Sequence, residues 1–205
     1  SLGHGAQQIF DSIEGNQMRV VSVLGDSTFF HTGINSLMDV AYNKSNLITV
    51  VLDNRITAMT GQQDNPGSGR TVQGEITEAV SIEAIARAFG FKNVRVIDPN
   101  QLTQVKETLD WALGLQEPSV IITRWPCALK KQTALDKEEF KGSFSSVYWV
   151  NEELCIGCKK CTRTGCPAIV FQLEKKKSSI EAEKCVGCSV CAQVCPVHAI
   201  QKVEA

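Results

Sequence analysis

The chain has 205 residues, 43% of them apolar, with a formal net charge of -1 and a pI near 6.3. That length suits one or two domains at roughly 150 residues each, and the near-neutral charge removes the electrostatic case for binding nucleic acid or an anionic membrane. No run of about 18 apolar residues is present and the N-terminus shows no basic, apolar, small-residue export pattern, so a soluble, cytoplasmic protein is expected.

The first 145 residues alternate β-branched apolar runs with helical patterns. Residues 19–24, 47–52, 94–97 and 119–123 read as buried strands. Between them, residues 33–44, 81–89 and 101–115 carry apolar positions at three- and four-residue spacing, as amphipathic helices do. Strands alternating with helices predict an α/β fold with a parallel sheet covered on both faces. Ligands in such sheets sit at the carboxyl ends of the strands.

Two strand ends carry chemistry. The first closes on Gly25-Asp26-Ser27 and the second on Asp53-Asn54, so Asp26 and Asn54 lie 28 residues apart at one rim of the sheet. A carboxylate, an amide oxygen and a nearby backbone carbonyl are hard oxygen donors suited to Mg2+ holding a diphosphate. Gly25 permits close backbone approach, and a helix opening near Gly33 would offer amides and a positive dipole end to phosphates. This pattern resembles the thiamine diphosphate signature, a Gly-Asp pair followed at a fixed spacing by asparagine. The alternative is a pair of strand-ending turns, which favour the same residue types.

Cys127 is the one cysteine before residue 150; the other eight of nine fall between Cys155 and Cys195. A long cysteine-poor portion without an export signal argues for metal thiolates over disulfides. Cys155, Cys158, Cys161 and Cys166 precede Pro167, and Cys185, Cys188, Cys191 and Cys195 precede Pro196, with flanks repeating at an offset of 30 residues. Each half opens C-x2-C-x2-C, which wraps one corner of a cubane, and the C-P cysteine of each half ligates the other half's cluster. One [4Fe-4S] quartet is therefore Cys155, Cys158, Cys161 and Cys195, and the other Cys185, Cys188, Cys191 and Cys166. Zinc is the alternative, but zinc motifs come as C-x2-C pairs.

The segment resembles the bacterial two-cluster ferredoxins, a small α+β fold, over about residues 150–205. It departs in one place: four residues separate Cys161 from Cys166 where three are usual, and Gly165 is expected to absorb the extra one. Eight Lys or Arg against six Asp or Glu over residues 151–205 suit a segment that serves a fixed neighbour. His198 is expected at the surface. The domains are expected to be 1–145 and 146–205.

The stretch from Gly25 to Gly33, and Leu52-Asp53-Asn54-Arg55-Ile56-Thr57-Ala58-Met59-Thr60-Gly61-Gln62 followed by Asn65-Pro66-Gly67, are similar to the large subunit of indolepyruvate ferredoxin oxidoreductase. The resemblance implies that Asp26, Asn54 and the Ile56 carbonyl bind Mg2+, that Gly25 and Ser27 belong to the cofactor site, and that Thr57, Thr60 and Gly61 lie by the diphosphate and thiazolium. Met59 or Thr60 stands where related pyruvate enzymes have asparagine. Phe29, Phe30 and His31 are candidates to face an aromatic substrate, with His31 as an acid/base and core packing as the alternative for the phenylalanines. His4 and Cys127 are read as structural.

The implied chemistry is oxidative decarboxylation of an aryl pyruvate such as indolepyruvate to acyl-CoA and CO2, electrons leaving singly through two clusters to an external ferredoxin. It also implies what the chain lacks, a pyrimidine-binding domain with its activating glutamate. A C-terminal part of a longer subunit, partnered by that domain and a smaller second subunit in a hetero-oligomer, is expected. Pyruvate, 2-oxoglutarate or a branched-chain acid is the alternative substrate, and a non-catalytic iron-sulfur protein the alternative function.

Overall fold

The computed structural model describes residues 1–140, 144 and 146–203. It divides into two compact units, Ser1–Lys130 and Lys131–Ala205. The cysteine-rich stretch starts at Cys155, but α6 (Ala134–Glu139), opened by a capping box between Thr133 and Asp136, already belongs to the second unit. No described helix is long and apolar enough to cross a membrane.

In the first unit, β1 (Val21–Gly25), β2 (Ile48–Asp53), β3 (Asn93–Ile97) and β4 (Ser119–Arg124) form a sheet in the order β1-β2-β4-β3. Every pairing is parallel. The helices between them are α3 (Ile34–Tyr42), α4 (Ile82–Ala88) and α5 (Leu102–Gly114), after an opening α1 (Leu2–Asp11). The central strands bury both faces, as parallel strands do. Val51, Val120 and Ile122 pack with Phe29, Leu37, Val40 and Ile82, while Ile48, Val50 and Ile121 pack with Ala112, Val105 and Trp111. Ser81 caps α4 by accepting the Ala84 amide at 3.1 Å, satisfying one of the donors every helix start leaves open.

One expectation is corrected here. The helix after β1 opens at Asp26, not near Gly33: α2 (Asp26–Thr28) runs through a π-helical turn (Phe29–Gly33) into α3. Gly33 is a packing glycine, since a Cβ there would stand 2.6 Å from Leu24 Cδ1. The positive end of the helix therefore follows the strand directly, at Asp26 itself.

The second unit pairs β5 (Tyr148–Val150) with β8 (Ile200–Lys202) and β6 (Ile169–Gln172) with β7 (Lys177–Ile180), both antiparallel. Its buried core is Val150, Cys155, Cys161, Cys191, Ala199 and Ile200. The extra residue of the first repeat is taken up by a 3-10 turn (Cys161–Thr164) that ends on Gly165 at φ 71°, a left-handed conformation glycine adopts without strain. The second repeat uses a short helix instead, α7 (Val190–Gln193).

Candidate functional sites

Register builds the first site. Gly25 pairs with Leu52 and Asp53 with Arg124, so the ends of β1, β2 and β4 share one rim. Asp26, 2% exposed, accepts the Ser27 amide at 2.8 Å and the Asn65 side-chain amide at 3.1 Å. The Ile56 N–H donates to Asn54 Oδ1 at 3.1 Å, and the same amide slightly favours the charged form of the Asp26 carboxyl. Ser27 Oγ and Thr57 Oγ1 stand 2.8 Å apart, joining the strand ends.

Burial pushes the Asp26 carboxyl up from its ordinary value, and the Asp53 charge adds to this; hydrogen bonds from Asn65, Ser27 and Ile56 pull it back. A buried carboxylate biased toward its neutral form, next to an amide oxygen, fits a divalent cation, which would restore the charged form. The loop carrying Asn54 is braced from below. Arg124 Nε donates to Asp53 Oδ2 at 2.7 Å, the Arg55 amide to Asp53 Oδ1 at 3.2 Å, and the Cys127 amide to the Asn54 carbonyl at 3.0 Å.

The other candidates are less tightly gathered. Thr60 is exposed and donates to Gln63 Oε1 at 2.7 Å; Gly61 sits at φ 118°; Met59 is fully exposed. His31 is exposed on the π-helical turn. Phe29 does not face a substrate: it is 0% exposed in the core, where its ring meets Phe30 edge-on at 5.5 Å. Phe30 is half-buried and packs against Gly67 of the loop that carries Asn65. The roles of Asn65, Asp53 and Arg124 were missed from sequence because each acts through a contact 39 or 71 residues away.

In the second unit, Cys155, Cys158, Cys161 and Cys195 line one cavity with Val150, Ile156, Pro196 and Ala199. Burial pushes the Cys191 thiol up to about 12, and the charges of Cys188, Cys166 and Cys185 push in the same direction. Burial likewise raises Cys188, with Cys166 and Cys185 contributing. Thiols in apolar walls, with the Ala199 amide 3.3 Å from Cys195 Sγ and the Tyr148 amide 3.5 Å from Cys185 Sγ, fit iron-sulfur clusters, whose potentials such N–H contacts tune. No three His, Cys, Asp or Glu side chains among the described residues gather around a single ion. In a cubane each thiolate takes a different iron, so its sulfurs stand apart. His198 is exposed.

The family description "Thiamine pyrophosphate enzyme, C-terminal TPP binding domain" matches residues 2–123. The chain belongs to the thiamine pyrophosphate enzymes. A 4Fe-4S dicluster domain matches residues 148–202. Among thiamine pyrophosphate enzymes it is similar to the indolepyruvate oxidoreductase subunit IorA of Pyrococcus horikoshii, 42% identical over 99% of this chain and 32% of that one. The IorA subunit of Thermococcus kodakarensis is 42% identical over 93% of this chain and 29% of its own. The chain thus spans about a third of the length of these relatives. A 2-oxoglutarate:ferredoxin oxidoreductase from Magnetococcus marinus superposes at TM-score 0.56 with 17% identity, covering 67% of this chain and 48% of that one, which shows a shared fold. The resemblance drawn from Gly25-Asp26, Asn54 and the cysteine repeat is borne out, as is an α/β thiamine domain followed by a small ferredoxin-like one.

Proposed function

We propose that this chain is the cofactor-binding and electron-exit part of a 2-oxo acid:ferredoxin oxidoreductase acting on an aryl pyruvate, indolepyruvate, with coenzyme A as acyl acceptor. The observation that carries the proposal is the buried Asp26 carboxyl at the end of β1 beside the β2 end that carries Asn54, in a chain whose Cys155, Cys158, Cys161 and Cys195 line one cavity. Similarity to IorA subunits supports the aryl substrate.

Asp26, Asn54 and the Ile56 carbonyl hold Mg2+, Gly25 lets the diphosphate approach the backbone, and Ser27 and Thr57 offer it hydroxyls. Thr60 and Gly61 border the thiazolium, and His31 stands as acid or base. Thiamine diphosphate supplies the carbanion-stabilising chemistry by which a 2-oxo acid loses CO2. Cys155, Cys158, Cys161 and Cys195 hold one cluster and Cys166, Cys185, Cys188 and Cys191 the other, so electrons pass out singly to a ferredoxin. The pyrimidine-binding part of the subunit and a smaller second subunit complete a cytoplasmic hetero-oligomer.

The test is anaerobic cluster bleaching with those partners supplied, together with Mg2+, thiamine diphosphate and coenzyme A. Indolepyruvate is expected to reduce the clusters faster than pyruvate, 2-oxoglutarate or a branched-chain acid. A faster reduction by one of those overturns the aryl assignment. This chain alone is expected to bind Mg2+ and thiamine diphosphate weakly and to turn over no substrate.

A further inference from the structure

The 30-residue repeat lets the two cysteine loops be compared position by position. Ile156 is 64% exposed and Cys158 is exposed, whereas their counterparts Val186 and Cys188 are half-buried. What lies against each loop explains the difference. The second loop is covered by Phe144 and Ser146: the Phe144 amide donates to the Val186 carbonyl at 3.1 Å, and the Ser146 carbonyl lies 2.5 Å from where a Cβ on Gly187 would be. The first loop is met by the turn between β6 and β7, whose Lys176 carbonyl packs on Gly157.

That turn is basic. It carries exposed Lys175 and Lys176, and the loop it meets carries exposed Lys159 and Lys160, followed by exposed Arg163. Lys177 Nζ donates to the Cys155 carbonyl, and Lys159 Nζ sits 4.3 Å over the Phe171 ring, so the turn and the loop form one surface. Ile156 on the loop and Leu173 on the turn are 64% and 78% exposed, so both partners of this contact also offer an apolar side chain. Its charge is lopsided along the chain: residues 151–177 hold six Lys or Arg against three Glu, a net of +3, and residues 178–205 hold two Lys against three Glu, a net of -1. Glu152 is engaged with Lys175 at 2.8 Å.

We infer that this face is the docking surface of an acidic one-electron carrier protein, and that the cluster held by Cys155, Cys158, Cys161 and Cys195 is the one from which electrons leave. The inference rests on the reading of those cysteines as an iron-sulfur site. Transient protein interfaces combine exposed apolar side chains with charged ones, and charges of one sign steer a partner of the other. The exposed Cys158 brings the cluster edge to the surface. One electron passes from the reduced cluster, which is oxidised from the 1+ to the 2+ core state, to the carrier's oxidised iron-sulfur centre, which is reduced by one. No proton or ligand needs to move.

The test uses the full chain with both clusters reconstituted and reduced by dithionite, so that no 2-oxo acid chemistry enters, and an acidic bacterial two-cluster ferredoxin as the probe. Lys159→Glu, Lys160→Glu, Lys175→Glu and Lys176→Glu are combined in one variant, and Lys184→Glu with Lys202→Glu is the control. Cluster content of each is verified by visible absorption and EPR. The patch variant is expected to bind the ferredoxin at least about tenfold more weakly, with slower electron transfer and a flatter salt dependence, while the control stays near the parent. Equal binding by parent and patch variant with both clusters intact overturns the docking surface alone. A basic carrier such as cytochrome c binding more tightly than the ferredoxin overturns it too. A chain that takes up no cluster overturns the cysteine assignment and the inference together.

Discussion

Asp26 is where burial and charge meet, and the sign of its effect can be worked out. Its folded pKa is raised, chiefly by burial, above an unfolded value of about 3.9. Between those two values the folded chain keeps a proton that the unfolded chain has lost, so this group's contribution is fully present below the unfolded pKa and is lost as pH rises through the folded one. In chelator, the urea-measured stability of the parent minus that of Asp26→Asn is expected to fall as pH climbs from about 4 and then to level off. Adding Mg2+ and thiamine diphosphate is expected to shift that difference back toward the parent, with no response from the variant. A pH-independent difference would remove Asp26 from this role. Asp53 acts one step behind. It receives both Arg124 and the Arg55 amide, so Asp53→Asn is expected to weaken Mg2+ binding by about 10–100-fold while Asn54 itself is untouched. Titration of Mg2+ at saturating thiamine diphosphate measures this; unchanged affinity would make the ion pair a packing feature only.

The cysteine loops depend on two glycines in left-handed conformations, Gly157 at φ 68° and Gly187 at φ 72°, each with a backbone carbonyl where a Cβ would go. Backbone cannot move aside as a flexible side chain can. Gly157→Ala and Gly187→Ala are therefore expected to lower cluster occupancy sharply, read as visible absorption per protein. Gly165 has the same handedness at φ 71° but nothing within 4 Å of an added Cβ. Gly165→Ala should cost only about 1–2 kcal/mol of conformational strain and keep both clusters. Sequence could tell that Gly165 absorbs an extra residue, because the count between Cys161 and Cys166 shows it. It could not tell that Gly165 is open while Gly157 is crowded, because Lys176, the crowding residue, lies 19 positions on. The same limit explains the helix after β1: residue spacing marked its amphipathic length from 33 onward, but its start at Asp26 is hidden by a π-helical turn that breaks the 3.6-residue period. Strand ends were legible, since β-branched runs stop at Gly25 and Asp53.

The two units differ in what holds them together. In the first, eleven buried side chains form one cluster and five more form another, all of ordinary apolar chemistry. In the second, three of the six residues in the buried cluster, among the described residues, are Cys155, Cys161 and Cys191, proposed cluster ligands rather than hydrocarbon. Small units with little apolar core need a staple, and metal binding that exists only in the folded state is folding free energy. Removing the clusters by oxidation and chelation is therefore expected to unfold the second unit and leave the first intact. Amide exchange makes the distinction residue by residue: protection along β5 and β8 should be lost, while β2 and β4, whose buried runs are Ile48 to Val51 and Ser119 to Ile122, keep theirs. In the reverse experiment, Mg2+ and thiamine diphosphate should raise protection in β1 and β2 and leave β5 and β8 unmoved, because a ligand stabilises only the unit that binds it. Retained protection of β5 and β8 after complete cluster loss would mean that Val150, Ala199 and Ile200 suffice as a core, and the cysteines would then be guests of a fold that stands without them.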